Sequence, residues 1–319
     1  MTITFDALLD DRLEQLTLDD TSEHIFTLFS QHKPPDNQNL GYISRTAHTL
    51  PILIRLHASL IRVSVEFEIH QSLELLNSQQ ENNTTGAVLW QITPLFAEWL
   101  LTPGTVFHNL LFGERESGSL DVIEIGAGTS GILACALSLP LFAHYENDSK
   151  TGSYIATDQS HILRMLKKTW EVISQLSSIW RRFCCIEPKQ PRITHERSGP
   201  RIEVLELDWE HAKQDIKDIH DFLWTSQDEA IIAKKEFDIV VACDTVYNDF
   251  LIAPFVNALK ILAGENTHIL LGMQLRSHDV QEAFLREAQS NSLDVWHVLP
   301  EHLSERMQSG FAVYYLRRS

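Results

Sequence analysis

Apolar and polar positions alternate with a period of two over residues 61–70. Ile61, Val63, Val65, Phe67 and Ile69 fall on one side, and Arg62, Ser64, Glu66, Glu68 and His70 on the other. That period predicts a strand with one wet face. Pro51–Leu56 predicts its partner, so an N-terminal β-hairpin is expected. The polar stretch Ser78–Gly86 then reads as a boundary between an acidic N-terminal region, 1–85, and a main domain, 86–319. Beyond it the pattern changes. An apolar helix over Leu89–Leu101 precedes short apolar runs at Val122–Ile125, Tyr154–Thr157, Ile202–Leu207, Phe237–Cys243 and Thr267–Gly272, separated by helical segments. Such alternation implies an α/β fold with a parallel sheet and helices on both faces. Two late runs, Leu293–Val298 and Phe311–Leu316, predict a closing antiparallel hairpin. The polar insertions His144–Gly152 and Arg181–Pro200 read as surface loops.

The first parallel strand runs into a glycine turn, Glu124-Ile-Gly-Ala-Gly-Thr-Ser-Gly131, and then into the apolar run Ile132–Leu137. Glycines at Gly126, Gly128 and Gly131 let the backbone approach a ligand, and the helix start behind them offers free N–H groups. A nucleotide-like cofactor is therefore expected. The spacing itself does not name it, because dinucleotide dehydrogenases use the same Gly-x-Gly-x-x-Gly. A dehydrogenase would place an acid about 20 residues onward, at the end of the second strand. Glu146 and Asp148 stand near that distance, but no strand ends there. Asp158 does close a strand, and its carboxylate can accept both ribose hydroxyls of adenosylmethionine or of NAD. Asp208, after the third strand, can accept from an adenine amine, and Trp209 offers a face for the ring. Trp90 either covers the cofactor or pins its helix to the sheet. Seven strands ending in an antiparallel hairpin fit a Rossmann-like class I methyltransferase sheet better than the six-stranded dehydrogenase arrangement.

Charge narrows the partners. With 26 basic and 43 acidic residues the chain carries −17, which argues against broad contact with a nucleic-acid backbone. It suits a basic protein partner, through steering, as well as simple solubility. No apolar stretch is long enough to span a bilayer, and the acidic N-terminus lacks the basic start of a secretory signal. The four cysteines show no Cys-x-x-Cys spacing, which points to reduced thiols and no zinc site. The fifteen histidines show no pair at ligand spacing, so no metal is expected.

After the fourth strand comes Cys243-Asp-Thr-Val-Tyr247. In a Rossmann-like methyltransferase this position faces the transferred methyl group, so it reports on the acceptor. The Pro-Pro of DNA and RNA amino-methylating enzymes is absent, and so are the paired glutamates of arginine methyltransferases. Asp244-x-x-Tyr247, with Gly86…Trp90, Glu124-Ile-Gly-Ala-Gly128 and Leu207-Asp-Trp209, resembles the methyltransferase-16 family of seven-strand protein lysine methyltransferases. The likeness covers residues 60 to 319. The fuller text around Gly126 and Asp244 is similar to the branch of that family that modifies a large-subunit ribosomal protein in the cytoplasm. The resemblance implies S-adenosylmethionine as donor, held by Trp90, the turn Gly126-Ala127-Gly128, Asp158, Trp209 and Cys243, beside Asp208 read from its place after the third strand. It implies that Glu124 helps to place the methionine part. Asp244 would accept from the entering lysine amine and Tyr247 would line its channel; a cap on the following helix is the plainer role for Asp244. A methyltransferase of a small molecule or nucleic acid, and an inactive donor-binding module, remain the alternatives.

Overall fold

The structure, a computed structural model, describes residues 11–35, 40–56, 63–73, 85–105, 107–113, 119–138, 151–176, 201–224 and 236–319. The strands are β1 (Leu13–Leu16), β2 (Thr49–Leu56), β3 (Val63–His70), β4 (Ser119–Ile125), β5 (Thr151–Asp158), β6 (Arg201–Glu206), β7 (Ile239–Cys243), β8 (His268–Gln274), β9 (Leu293–Val298) and β10 (Phe311–Arg318). The main helices are α1 (Thr21–Gln31), α2 (Ile92–Leu101), α3 (His108–Phe112), α4 (132–138), α5 (Ser160–Leu176), α6 (Ala212–Leu223), α7 (Asp249–Leu262) and α8 (His278–Ser290).

β4 to β10 form the seven expected strands, in the order β9-β10-β8-β7-β4-β5-β6. β6, β5, β4, β7 and β8 run parallel, and β10 enters antiparallel between β8 and β9. This is the class I methyltransferase sheet. An eighth strand extends it: β1 pairs antiparallel with the outer edge of β9. Edge strands invite pairing because their N–H and C=O groups are open, and here the chain's own N-terminal segment takes that place.

Successive residues on the strands feed two separate cores, as the strand period requires. On β10, Phe311, Val313 and Tyr315 face one core, while Ala312, Tyr314 and Leu316 face the other. The first core is covered by α2, α3, α4 and α5 and, outside them, by the β2–β3 hairpin. The hairpin registers Leu50 on Ile69 and Ile52 on Phe67, all four buried, and so confirms the alternating pattern over its described part. The second core is covered by α1, α6, α7 and α8.

The helix expected over Leu89–Leu101 starts later, at Ile92. Upstream, Trp90 forms an isolated antiparallel bridge with Tyr42, which holds that backbone out of the helix. The insertion 181–200, all but the end of the one at 144–152, and Cys184 and Cys185 lie outside the described residues. Among the described residues, no helix is long and apolar enough to cross a membrane.

Candidate active site

Chain direction reverses across the sheet between β4 and β7. From β4 the chain steps outward to β5 and β6, then returns to β7 and continues to β8. Doubly wound sheets bind ligands outside the carboxyl ends of the strands at this switch point. A cavity of about 390 Å³ lies there, within the usual range for a small-molecule site. Trp90, Glu124, Gly126, Ala127, Gly128, Asp158, Asp208, Trp209, Cys243, Asp244 and Tyr247, all singled out from the sequence, line it; Gly131 instead packs close to Leu166 and Trp170.

The turn after β4 explains its glycines. Gly126 has φ +73°, and a Cβ there would stand 2.7 Å from Thr245 Cγ2. The bare backbone is thus required both by conformation and by the close passage of the β7 loop. Ala127 N–H donates to the Thr157 carbonyl at 2.9 Å, tying the turn to the end of β5. Gly128 N–H donates to Asp158 Oδ2 at 2.9 Å, and Gln159 N–H donates to Oδ1 at 2.8 Å. Each oxygen of Asp158 so accepts one backbone bond and keeps a lone pair for a ligand hydroxyl. Asp208 accepts from Glu210 N–H at 3.1 Å and from Gln159 Nε2 at 3.3 Å, while Trp209 packs on Phe255 with ring centroids 5.0 Å apart.

The cavity is acidic. Glu124, Asp158, Asp208, Glu210 and Asp244 line it, and among the described residues no lysine or arginine does. Burial lifts the Glu124 carboxyl from 4.5 to about 8, against the lowering bond from Tyr154 Oη (2.9 Å) and with a further push from Asp158. Burial likewise lifts Asp158 to about 6, partly offset by its backbone bonds to Gly128 and Gln159, while Asp208 adds repulsion. A bound cation would favour the ionised forms of both groups. The acidic lining suits the sulfonium and ammonium of S-adenosylmethionine.

Comparison with known proteins agrees. The lysine methyltransferase family profile matches residues 199–291. Ribosomal lysine N-methyltransferase 5 of Zygosaccharomyces rouxii is 33% identical over 311 residues, which cover 86% of this chain and 91% of that protein. The protein of the same name in Lachancea thermotolerans is 30% identical over 321 residues, covering 87% and 90%. That of Vanderwaltozyma polyspora is 33% identical over 313 residues, covering 86% and 91%. The chain belongs to the lysine methyltransferase family. Methyl transfer from S-adenosylmethionine to a protein lysine is the family's activity, and it directs attention to the acceptor side of the cavity.

There the structure corrects one expectation. Helix α7 is capped by Asn248, whose side chain accepts from Phe250 N–H at 3.1 Å. Asp244 does not cap it. Its backbone is left-handed, φ +59°, an uncommon conformation for a residue other than glycine. Its side chain, 2% exposed, is gripped by the Arg276 guanidinium: Nη1 donates to Oδ1 at 2.6 Å and Nη2 to Oδ2. Gln274 N–H adds a long bond to Oδ1. Both carboxylate oxygens are thus already engaged.

Sequence reading missed Arg276, which follows β8. It lies 4.5 Å from the Trp90 ring, Trp90 stacks on Tyr42 at 4.5 Å, and Arg45 lies 5.1 Å from the Tyr42 ring. Arg276 Nε also donates to the Leu40 carbonyl at 2.8 Å. Two cation–ring contacts and the Trp90–Tyr42 stack so fasten the N-terminal segment to the acceptor side, the cation–ring contacts favourable electrostatically. Tyr247 is half-buried and Phe250 is 87% exposed, and both line the cavity.

Proposed function

We propose that this protein methylates the ε-amino group of a lysine in a large-subunit ribosomal protein, in the cytoplasm. One observation carries the reading: a single acidic cavity at the sheet's switch point is lined by the nucleoside-type residues Asp158, Asp208 and Trp209 together with Asp244 and Tyr247. Ribosomal proteins are basic, and a chain of charge −17 is complementary to them.

Asp158 would take the ribose hydroxyls, Asp208 and Trp209 the adenine, and the Gly126–Gly128 turn, Glu124 and Trp90 the methionine part. Bound S-adenosylmethionine supplies a methyl group activated on a sulfonium. The acceptor must present a lone pair, yet a free lysine is protonated below about 10.4. An unpaired buried carboxylate would hold the ammonium form and oppose reaction. Arg276 prevents this. By neutralising Asp244 it removes the counter-ion that would stabilise a charged lysine, while a carboxylate lone pair still aims the amine. The acidic mouth draws the lysine in, and its proton leaves to solvent before transfer. Asp244 therefore orients the amine and is not its base, and Tyr247 walls the channel.

Incubation of the protein with labelled donor and purified large ribosomal subunits tests the reading. Label on lysine of one subunit protein is expected. Label confined to nucleic acid or to small molecules would overturn it.

A further inference from the structure

Folding gathers two of the scattered histidines and a glutamate at the edge of the sheet formed by β1. Glu14 on β1 stands opposite His297 on β9 in the antiparallel register, so both side chains leave the same face. His24, on α1, meets His297 edge to face, with ring centroids 4.6 Å apart. One ligand-type atom from each of Glu14, His24 and His297 lies within 4.8 Å of the other two.

The hydrogen bonding around the trio is incomplete. His24 Nε2 pairs with Tyr314 Oη at 3.1 Å, which leaves Nδ1 as the other ring nitrogen. Tyr314 Oη is itself fixed by Gln281 Nε2 at 3.1 Å. His297 is 3% exposed, and its Nε2 is buried with no hydrogen-bond partner. Leaving such a nitrogen unpaired costs about 1–3 kcal/mol, and native interiors rarely tolerate it. Two imidazole nitrogens and a carboxylate oxygen are all metal-ligand atoms.

We propose that Glu14, His24 and His297 form a site for a divalent transition metal, with zinc the best match. Two imidazoles and one carboxylate are an established zinc ligand set, with a fourth position left to water. Tetrahedral zinc places ligand atoms about 3.3 Å apart, so the trio closes by at most about 1.5 Å. Glu14 is exposed and free to swing inward. Tyr314 then plays the part usually taken by a metal-bound histidine's outer partner, accepting the His24 N–H and fixing the ring. The ion would clamp β1 and α1 onto β9, securing the strand that covers the sheet edge. The trio is built on elements separate from the donor cavity, so the proposal is independent of the acceptor's identity.

Zinc titration into the metal-free full-length protein, followed by calorimetry and by thermal melting, tests it. Wild type is expected to bind one Zn²⁺ per chain and to melt higher when loaded. Glu14→Gln and His24→Gln should each weaken binding at least tenfold and lose the rise in melting temperature. Metal-free Glu14→Gln should melt as the metal-free wild type does, which separates ligation from folding. Absence of stoichiometric binding in wild type would overturn the site. So would zinc affinity unchanged in both variants, which would place the ion on other histidines.

Discussion

Replacing Arg276 by alanine leaves the Asp244 carboxylate buried and without its fork, and two separate consequences follow. The first is stability. Removing one partner of a buried ion pair costs about 3–5 kcal/mol. The Arg276 side chain is 16% exposed and Asp244 2%, so water reaches one side of the pair and the lower end, about 3 kcal/mol, applies. At roughly 2–4 °C per kcal/mol for a domain near this size, melting should fall by about 6 °C or more. The second is chemical. A unit charge about 4 Å from the acceptor amine, at an effective dielectric of about 20, favours the ammonium by about 4 kcal/mol. At about 1.36 kcal/mol per pH unit this is an upper limit of roughly three units, and water entering the gap reduces it toward one. The acidic limb of kcat should therefore move upward by about one to three pH units. Initial rates measured against pH, with donor and protein substrate both saturating, read this shift. Adding Asp244→Asn to Arg276→Ala removes the stranded charge and should return the limb to its wild-type place. An Arg276→Ala protein that melts like wild type and keeps its pH profile would refute the reasoning.

Asp158→Ala should weaken donor binding by about 1–3 kcal/mol, and wild-type affinity by calorimetry would remove Asp158 from the ribose site. In the intact protein the ionised Asp158 carboxylate accepts ribose hydroxyls more strongly than its acid form, so donor affinity should fall as pH drops through about 6. Glu124→Gln addresses stability against pH. Because folding raises this carboxyl from 4.5 to about 8, the native state holds a proton that the unfolded chain has released, and stability declines as pH rises through that window. The glutamine variant should lose that decline in denaturant titrations at several pH values; an identical decline would exclude Glu124 as its source. Gly131→Ala places a Cβ 2.4 Å from Leu166 Cδ1 and 2.7 Å from Trp170 Nε1 at φ +53°. It should destabilise the fold by about 1–3 kcal/mol, which chemical denaturation measures. Phe250→Ser should leave melting within about 0.5 kcal/mol of wild type, since the ring is 87% exposed. It should raise KM for the protein substrate and not for the donor; equal KM values would exclude Phe250 from substrate contact.

What the sequence disclosed follows from the range of the forces involved. The parallel strands are short apolar runs buried on both faces, so Val122–Ile125 and Phe237–Cys243 stood out unaided. The β2–β3 hairpin has one wet face and showed its period. β1 did not stand out, because only Leu16 of its four residues is buried and an edge position demands little of side chains. At the cavity, Gly126 and Gly128 were legible because backbone conformation restricts residue type locally. Arg276 was not, since its pairing with Asp244 and Trp90 depends on β8 and β7 lying side by side. Asp244 does not cap α7 because the helix starts only at Asp249, four residues past where a cap at Asp244 would need it, and its carboxylate pairs with Arg276 instead. The Glu14, His24 and His297 grouping lies across a strand pairing that joins opposite ends of the chain, beyond the reach of any spacing rule.

Mass spectrometry of large-subunit ribosomal proteins from otherwise identical cells with and without this protein tests the central claim most directly. A methylated lysine present only where the protein is present, and absent again when Asp244→Ala replaces it, is the expected result. An unchanged set of lysine modifications in cells lacking the protein would contradict it.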